Sequence, residues 1–302
     1  QAQGLRLRVL WVDAHADANT PATSPSGNLH GMPVACLLGD GPPALRALAG
    51  ASPALQGTPL YLMGLRSLDA HEQHYLQAHI PGAVHADLDR TLSALHGAPG
   101  AHGTITATQA DTPASGGRHP LPSREKLATW LRSVGFTNAM QAVVYDRNGS
   151  AFCGRLWWML QWLGHAQVAV LDGGWQAWVA DGGAVAQGPE TSHFASDFAL
   201  RPSLRRLATA QDVLAALDQP GQTLIDARAA PRYRGEVEPL DPVAGHIPGA
   251  LNRPFTDNFG PDGRFKSAAV LRAEFEALLA GRDPASVVHQ CGSGVSAVPN
   301  MI

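Results

Sequence analysis

Long apolar runs, paired cysteines and blocks of a single charge are all scarce in these 302 residues. No stretch approaches the roughly 18 apolar residues that a spanning helix needs, and the opening "QAQGLRLRVLWVDAH" has too short an apolar run for a signal peptide. The chain is therefore expected to be soluble and cytoplasmic, without membrane contact. Its three cysteines, Cys36, Cys153 and Cys291, are far apart, odd in number and lack a CxxC pair. That argues against a disulfide framework and structural zinc, and it suits a reducing compartment. Lys and Arg number 22 against 25 Asp and Glu, for a net charge of −3 and no basic block. Nothing then favours nucleic acid as a partner, and small molecules are the expected ligands.

What is present is ordinary core material. With 45% hydrophobic and 16% charged residues, the chain should build about two globular domains. Short apolar strands such as "QTLIDAR" (Gln222 to Arg228) alternate with helical stretches such as "SREKLATWLRSVG" (Ser123 to Gly135). This βα alternation predicts an α/β fold with parallel sheets flanked by helices.

One unit occurs twice. "HIPGAV" at His79 to Val84 returns as "HIPGAL" at His246 to Leu251, and "AVVYD" ending at Asp146 is echoed by "VVHQC" ending at Cys291. Both of the latter are strand-like runs leading into a Gly/Ser loop, so Asp146 holds in the first copy the place that Cys291 holds in the second. Ligands of such sheets sit at the carboxyl ends of strands, where both loops would lie. The first copy runs on through "GRLWWMLQWLGH", "QVAVLDGG" and "WQAW" to Trp178, whereas Ile302 follows soon after Cys291. By that comparison the second copy is expected to be truncated at its C-terminal side. The expected division is a leading segment 1–77 that supplies strands to the first domain, a first domain 78–180, a polar linker 180–197 and a second domain 198–302.

Seven motifs in order carry a resemblance across residues 78 to 302: "HIPGAVHADLD", "GRHPLP", "RLWWML", "VAVLDGGWQAW", "LIDARAAPRYRGEVEP", "GHIPGA" and "CGSGVSA". Together they resemble the tandem-domain rhodanese family, most closely its 3-mercaptopyruvate sulfurtransferases. The resemblance implies that the first domain is non-catalytic. It also implies that Cys291 takes sulfur from a small-molecule donor as a persulfide and passes it to a thiol acceptor such as thioredoxin or glutathione, or to cyanide, with no cofactor. The loop chemistry agrees, since backbone amides from Gly292 through Ser293, Gly294 and Val295 to Ser296 can curl around the sulfur and a following helix start would favour the thiolate. Only the thiolate is a competent nucleophile.

Thiosulfate-preferring members carry cations in this loop, whereas "CGSGVS" has none, which points to a monoanionic donor such as 3-mercaptopyruvate. By resemblance Arg232 binds the donor carboxylate, a task suited to a guanidinium fork. One branch of the family has a second arginine nine residues on. Here that position is Asp241, with Arg234 the obvious substitute. Ser293, His119 and Asp89 would form a Ser-His-Asp-like relay. His79 and His246, each preceding an "IPGA" turn, read as structural, tying loops by hydrogen bonds.

The first 77 residues read differently. In "RVLWVDAHAD", Asp13, His15 and Asp17 recur at period two after a strand, so all three point to one side and could face a cation. Oxygen and imidazole donors without thiolate suit Mn²⁺ better than zinc. From about Leu5 to Leu76 the segment resembles the arginase and ureohydrolase family, which implies that Asn19, Ser26 and His30 line a guanidino-substrate pocket. The second ligand set of a binuclear site has no source in the chain, so this is half a site. A sulfurtransferase is the leading expectation. The alternatives are a manganese ureohydrolase fragment and a non-catalytic chimera with both sites incomplete.

Overall fold

The computed structural model describes residues 77–94, 113–188, 190 and 194–302, together with the backbone of 9–12 and 60–63. Strands β1 (Val9–Val12) and β2 (Leu60–Met63) pair in parallel as a two-stranded sheet of their own. The leading segment is expected to supply strands to the first domain; among the described residues β2 lies in a ladder with β1, and no described ladder joins either strand to another sheet. Both strands are short apolar runs that can satisfy each other's backbone groups. Asp13, His15, Asp17, Asn19, Ser26 and His30 lie outside the described residues.

The first α/β unit begins with α1 (Arg124–Ser133). Ser123 caps it by accepting the Lys126 N–H, Glu125 sits in its first turn and Arg132 in its last, each complementing the helix dipole. Leu127, Ala128 and Leu131 form its buried stripe. Strand β3 (Ala142–Val144) pairs in parallel with β4 (Val168–Val170), and α2 (Cys153–Trp162) connects them. Helix α2 is buried almost all round, with Trp157, Trp158, Met159, Leu160 and Trp162 in the core. Helix α3 (Gly174–Ala180) follows.

The chain after α3 does not enter the second unit at once. Phe198 is 1% exposed within the α1–α2 cluster, and the Arg201 and Leu204 amides donate to carbonyls of Leu163 and Gln161. The expected boundary at 198 therefore gives way to a segment, 196–207, that packs on the first unit, because Phe198 finds its burial there.

The second unit contains α4 (Ala210–Ala215), β5 (Thr223–Asp226), α5 (Ala230–Tyr233), β6 (Leu251–Asn252), α6 (Ala268–Leu279) and β7 (Val287–Gln290). Its sheet is parallel in the order β6-β5-β7, and all four residues of the central strand β5 are buried. Asp226 and Gln290 are register partners at the carboxyl ends, so Cys291 leaves the sheet beside the end of β5. The α/β architecture with parallel strands is the one expected. After the Cys291 loop, however, the chain forms a 3₁₀ turn, Val298–Met301, where an α-helix start was expected. Val298 from this turn packs into the core around α2.

Candidate active site

The two loops that the repeat pairs together can be compared atom by atom. In the first unit, the Asp146 carboxylate accepts four backbone amides, from Asn148 and Ser150 on one oxygen and from Phe152 and Cys153 on the other, at 2.8–2.9 Å. The loop there is an anion cradle filled by a side chain of its own. Cys153 beyond it is buried, and burial, followed by the Asp146 charge, pushes its thiol far above the ordinary range.

In the second unit the Cys291 sulfur takes the corresponding place, accepting the Gly294 N–H at 3.1 Å. Gly294 has φ +70°, a left-handed conformation that glycine adopts without strain. Among the described residues the Gly292, Val295 and Ser296 amides do not reach the sulfur. Of the amides expected to curl around the sulfur, the Gly294 N–H is the one that reaches it.

Three basic residues of the first unit gather near this loop, two of them reaching it with their side chains and His119 joined to it through Arg155. Arg155, from the first turn of α2, is 2% exposed. Its guanidinium donates to Leu92 O at 2.8 and 3.0 Å, to His119 O at 2.8 Å and to Gly294 O at 3.1 Å. Burial lowers its pKa to about 10, against the opposing influence of Cys291 and Asp89, so it stays a cation at neutral pH beside the sulfur. His119 Nε2 lies 3.2 Å from Asp89 Oδ1, as the relay requires. Burial lowers the His119 pKa; Asp89 opposes this, while Arg155 and Arg118 add to it. Its Nδ1 is buried without a partner. No hydrogen bond joins Ser293 to His119 among the described residues, so two of the three relay members are brought together and the third stands apart. Asp87 serves the turn that presents Asp89, accepting the Asp89 and Arg90 amides.

Arg118 is the third. A Cβ at Gly292 would lie 2.9 Å from Arg118 Nη2, 3.3 Å from Asp241 Oδ2 and 3.6 Å from Arg232 Nη2, so these three side-chain ends converge on the open side of Gly292, beside Cys291. Arg232 donates to Glu238 at 2.6 Å and to Asp241 at 2.9 Å, and Arg118 lies 3.5 Å from Asp241. Hydrogen bonding from Arg232, with the Asp241 and Leu240 amides, holds the Glu238 carboxyl well down, at about 2. Arg234 was the expected substitute for a second arginine. Arg234 pairs with Glu236 at 2.7 Å on the exposed surface, because the short α5 turns it away from the loop.

Arg118 and Arg155 went unrecognised in the sequence as site residues. The signal was there for Arg155: a cation inside the apolar run "CGRLWWMLQW" must find partners when buried. His79 and His246 behave as read. His79 is buried against Glu190 at 3.0 Å, and His246 Nδ1 meets Tyr233 O at 2.7 Å while its ring stacks on Tyr233.

Comparison with known proteins bears on this geometry. Residues 64–181 and 209–298 match the family model described as "Rhodanese-like domain". The chain belongs to the rhodanese family. It is 47% identical over 228 residues, 75% of each chain, to the Pseudomonas aeruginosa protein named "Probable 3-mercaptopyruvate sulfurtransferase". It is 32% identical over 250 residues to the thiosulfate sulfurtransferase of Bos taurus, covering 78% of this chain and 76% of that one. The crystal structure of SseA from Escherichia coli, described with the rhodanese fold of 3-mercaptopyruvate sulfotransferases, superposes with a TM-score of 0.60 at 32% identity, covering 76% of this chain and 78% of that one. Residues 1–95 match the Arginase family model. The Mn²⁺ half-site at Asp13, His15 and Asp17 falls outside the described residues, and among the described residues no cluster of His, Cys, Asp and Glu could hold a metal. No helix among them is long and apolar enough to cross a membrane.

Proposed function

We propose that this rhodanese-family chain is a sulfurtransferase that takes sulfur from 3-mercaptopyruvate, or more slowly thiosulfate, onto Cys291 and delivers it to a thiol or to cyanide. The observation that carries this reading is the position of Cys291. Its sulfur sits at the carboxyl end of a parallel strand, held by the Gly294 amide, with the buried Arg155 cation of the other unit beside it.

In the reaction the Cys291 thiolate attacks the donor's thiol sulfur. The new S–S bond forms as the C–S bond breaks, and the bonding pair leaves as the enolate of pyruvate, which takes up a proton to give pyruvate. Cys291 is left as the persulfide, and an acceptor thiol then removes the outer sulfur and returns the thiolate. Arg155 and the Gly294 N–H stabilise negative charge on the sulfur. Neutral His119, oriented by Asp89, moves the proton, and the Ser293 hydroxyl hydrogen-bonds the reacting group of the donor. Arg232 holds the donor carboxylate, and Gly292 keeps the approach open, with Val295 and Ser296 shaping the rest of the loop. The first unit is non-catalytic in this reading, because Asp146 already fills its cradle. A dithiol such as thioredoxin, or glutathione, is the acceptor in a reducing cytoplasm, where unpaired cysteines persist.

Incubation with 3-mercaptopyruvate followed by peptide mass analysis tests the reading. One sulfur atom should be added to the Cys291 peptide and none to the Cys291→Ser protein. Sulfur on Cys36 or Cys153 instead, or no adduct at all, overturns it.

A further inference from the structure

The cysteine loop runs from Gln290, the last residue of β7, to the 3₁₀ turn Val298–Met301, and its two ends are held by different means. At Gln290 the sheet does it. The residue is the register partner of Asp226, and its carbonyl accepts the Ala227 N–H at 2.9 Å. The turn at the other end has little of its own, being four residues long with Pro299 removing one amide donor. Contacts from elsewhere in the chain must therefore keep it in place. Val298 supplies an apolar one, in the core around α2. Asn300, 8% exposed, supplies a polar one.

The Asn300 side chain belongs to a buried chain of hydrogen bonds. Its Nδ2 donates to Arg253 O at 2.9 Å, and its Oδ1 accepts from Asn258 Nδ2 at 2.6 Å. Asn258, 1% exposed, ends the 3₁₀ turn Phe255–Asn258. Its Nδ2 also donates to Phe255 O at 3.0 Å, and its Oδ1 accepts from Arg253 Nη2 at 3.3 Å. Glu274 accepts from the same guanidinium nitrogen at 2.5 Å. The direction of the chain is fixed at both ends. A backbone carbonyl only accepts and a guanidinium only donates, so Asn300 turns its nitrogen to Arg253 O and its oxygen to Asn258, whose own oxygen is left for Arg253. A carboxamide at each position satisfies every partner, whereas a carboxylate at 300 would set an acceptor against a carbonyl.

We propose that Asn300, fixed by Asn258, is a positioning residue for Cys291: it anchors the far end of the cysteine loop so that the Gly294 N–H stays on the sulfur. The inference rests on the sulfur-transfer reading above and adds to it two residues that touch neither the sulfur nor the donor. The loop is then held at its start by the sheet, in the middle by Arg155 on the Gly294 carbonyl, and at its end by Asn300. An amide aimed at a developing charge lowers a barrier when it is already in place, and a loop that has to reorganise loses that gain. The second unit thus supplies the end of the loop with a polar anchor, as the first unit supplies its middle with one.

The test uses Asn300→Ala, Asn258→Ala, their double variant and Asn300→Asp in the full chain. Leu279→Ala is the control, because Leu279 is buried on α6 and takes no part in this chain of hydrogen bonds. Four quantities are read: the rate of sulfur loading on Cys291 at saturating 3-mercaptopyruvate, KM for that donor, amide hydrogen exchange in the peptide that contains Gly294, and the urea midpoint. Each single variant should slow loading about tenfold or more while KM stays within about threefold, because Arg232 is untouched. Exchange at Gly294 should quicken about tenfold as the anchored loop opens locally. The double variant should be no slower than the worse single one, since the two residues act as a unit. Asn300→Asp should be at least as slow as Asn300→Ala. Leu279→Ala should lower the urea midpoint while loading and Gly294 exchange change by less than about twofold. Loading within about twofold of wild type in Asn300→Ala, effects that multiply in the double variant, or an equal slowing in Leu279→Ala overturns the proposal. Where Asn300→Ala does not fold, Asn258→Ala carries the same comparison. Failure of the wild-type Cys291 to load overturns the sulfur-transfer reading instead, and hydrogen exchange then still decides whether Asn300 anchors the loop.

Discussion

Replacing Arg155 by methionine removes the guanidinium while keeping an unbranched stem to fill the space. Two opposing quantities decide the outcome. Burial disfavours the cation, and a fall from 12.5 to about 10 corresponds to roughly 3 kcal/mol against the charged form, which methionine would recover. The guanidinium also makes four short hydrogen bonds to the Leu92, His119 and Gly294 carbonyls. At about 1.5 kcal/mol or more for each charged donor, their loss outweighs the recovered desolvation and leaves a net destabilisation of about 3 kcal/mol. Against a total stability of about 5 to 15 kcal/mol this is a large fraction.

Urea unfolding followed by tryptophan fluorescence reads it directly, because Trp157, Trp158 and Trp162 lie on the same helix as Arg155. Arg155→Lys keeps the charge near Cys291 but cannot reach three carbonyls at once, so it should fall between methionine and wild type. Activity should drop in both variants beyond the fraction unfolded, since the Gly294 carbonyl held by Arg155 and the Gly294 amide on the sulfur belong to the same residue. An Arg155→Met protein within about 1 kcal/mol of wild type would show that apolar packing replaces the network, as it does for some buried ion pairs, and the argument would be wrong.

Three further outcomes are expected. His119 has a lowered pKa, so its neutral form survives below the ordinary imidazole range. The acid limb of kcat/KM should therefore lie below pH 6.5 and disappear in His119→Gln, with activity down about 10² to 10⁴-fold; an acid limb above pH 6.5 contradicts this. His289 is half-buried, which lowers its pKa to about 4, and its Nδ1 is unpartnered, so between pH 6.5 and 4 the unfolded chain binds the proton that the folded one refuses. Stability should fall as pH drops through that window, at up to about 1.4 kcal/mol per pH unit from this group, and urea midpoints of His289→Leu should decline less steeply than wild type; parallel declines count against it. Asp146→Ala strips four amides of their acceptor and should cost about 2 to 4 kcal/mol in urea unfolding while Cys291 still loads with sulfur. An unchanged midpoint, or loss of loading in the folded protein, would mean that the first unit's loop is not the filled cradle described.

Local chemistry carried much of the reading from sequence. The apolar run "TLID" became the buried central strand, Ser123 capped the helix it precedes, and the tryptophan-rich run became the core helix, because a strand's apolar content and a helix's capping hydrogen bonds are properties of neighbouring residues. The repeat set Asp146 opposite Cys291, and the two loops do present their acceptors at equivalent points. Other features depended on residues far apart in the chain. Nothing in "GRHPLP" announces that Arg118 reaches toward Gly292, or that Asp241 stands between it and Arg232, since ion pairing depends on distance in space and the partners come from different units. The same holds for Phe198, which left the second unit for the first unit's core, and for β2, which paired with β1. Apolar surface and open strand edges are satisfied by whichever partner packing brings near, and that choice is made only in the folded chain.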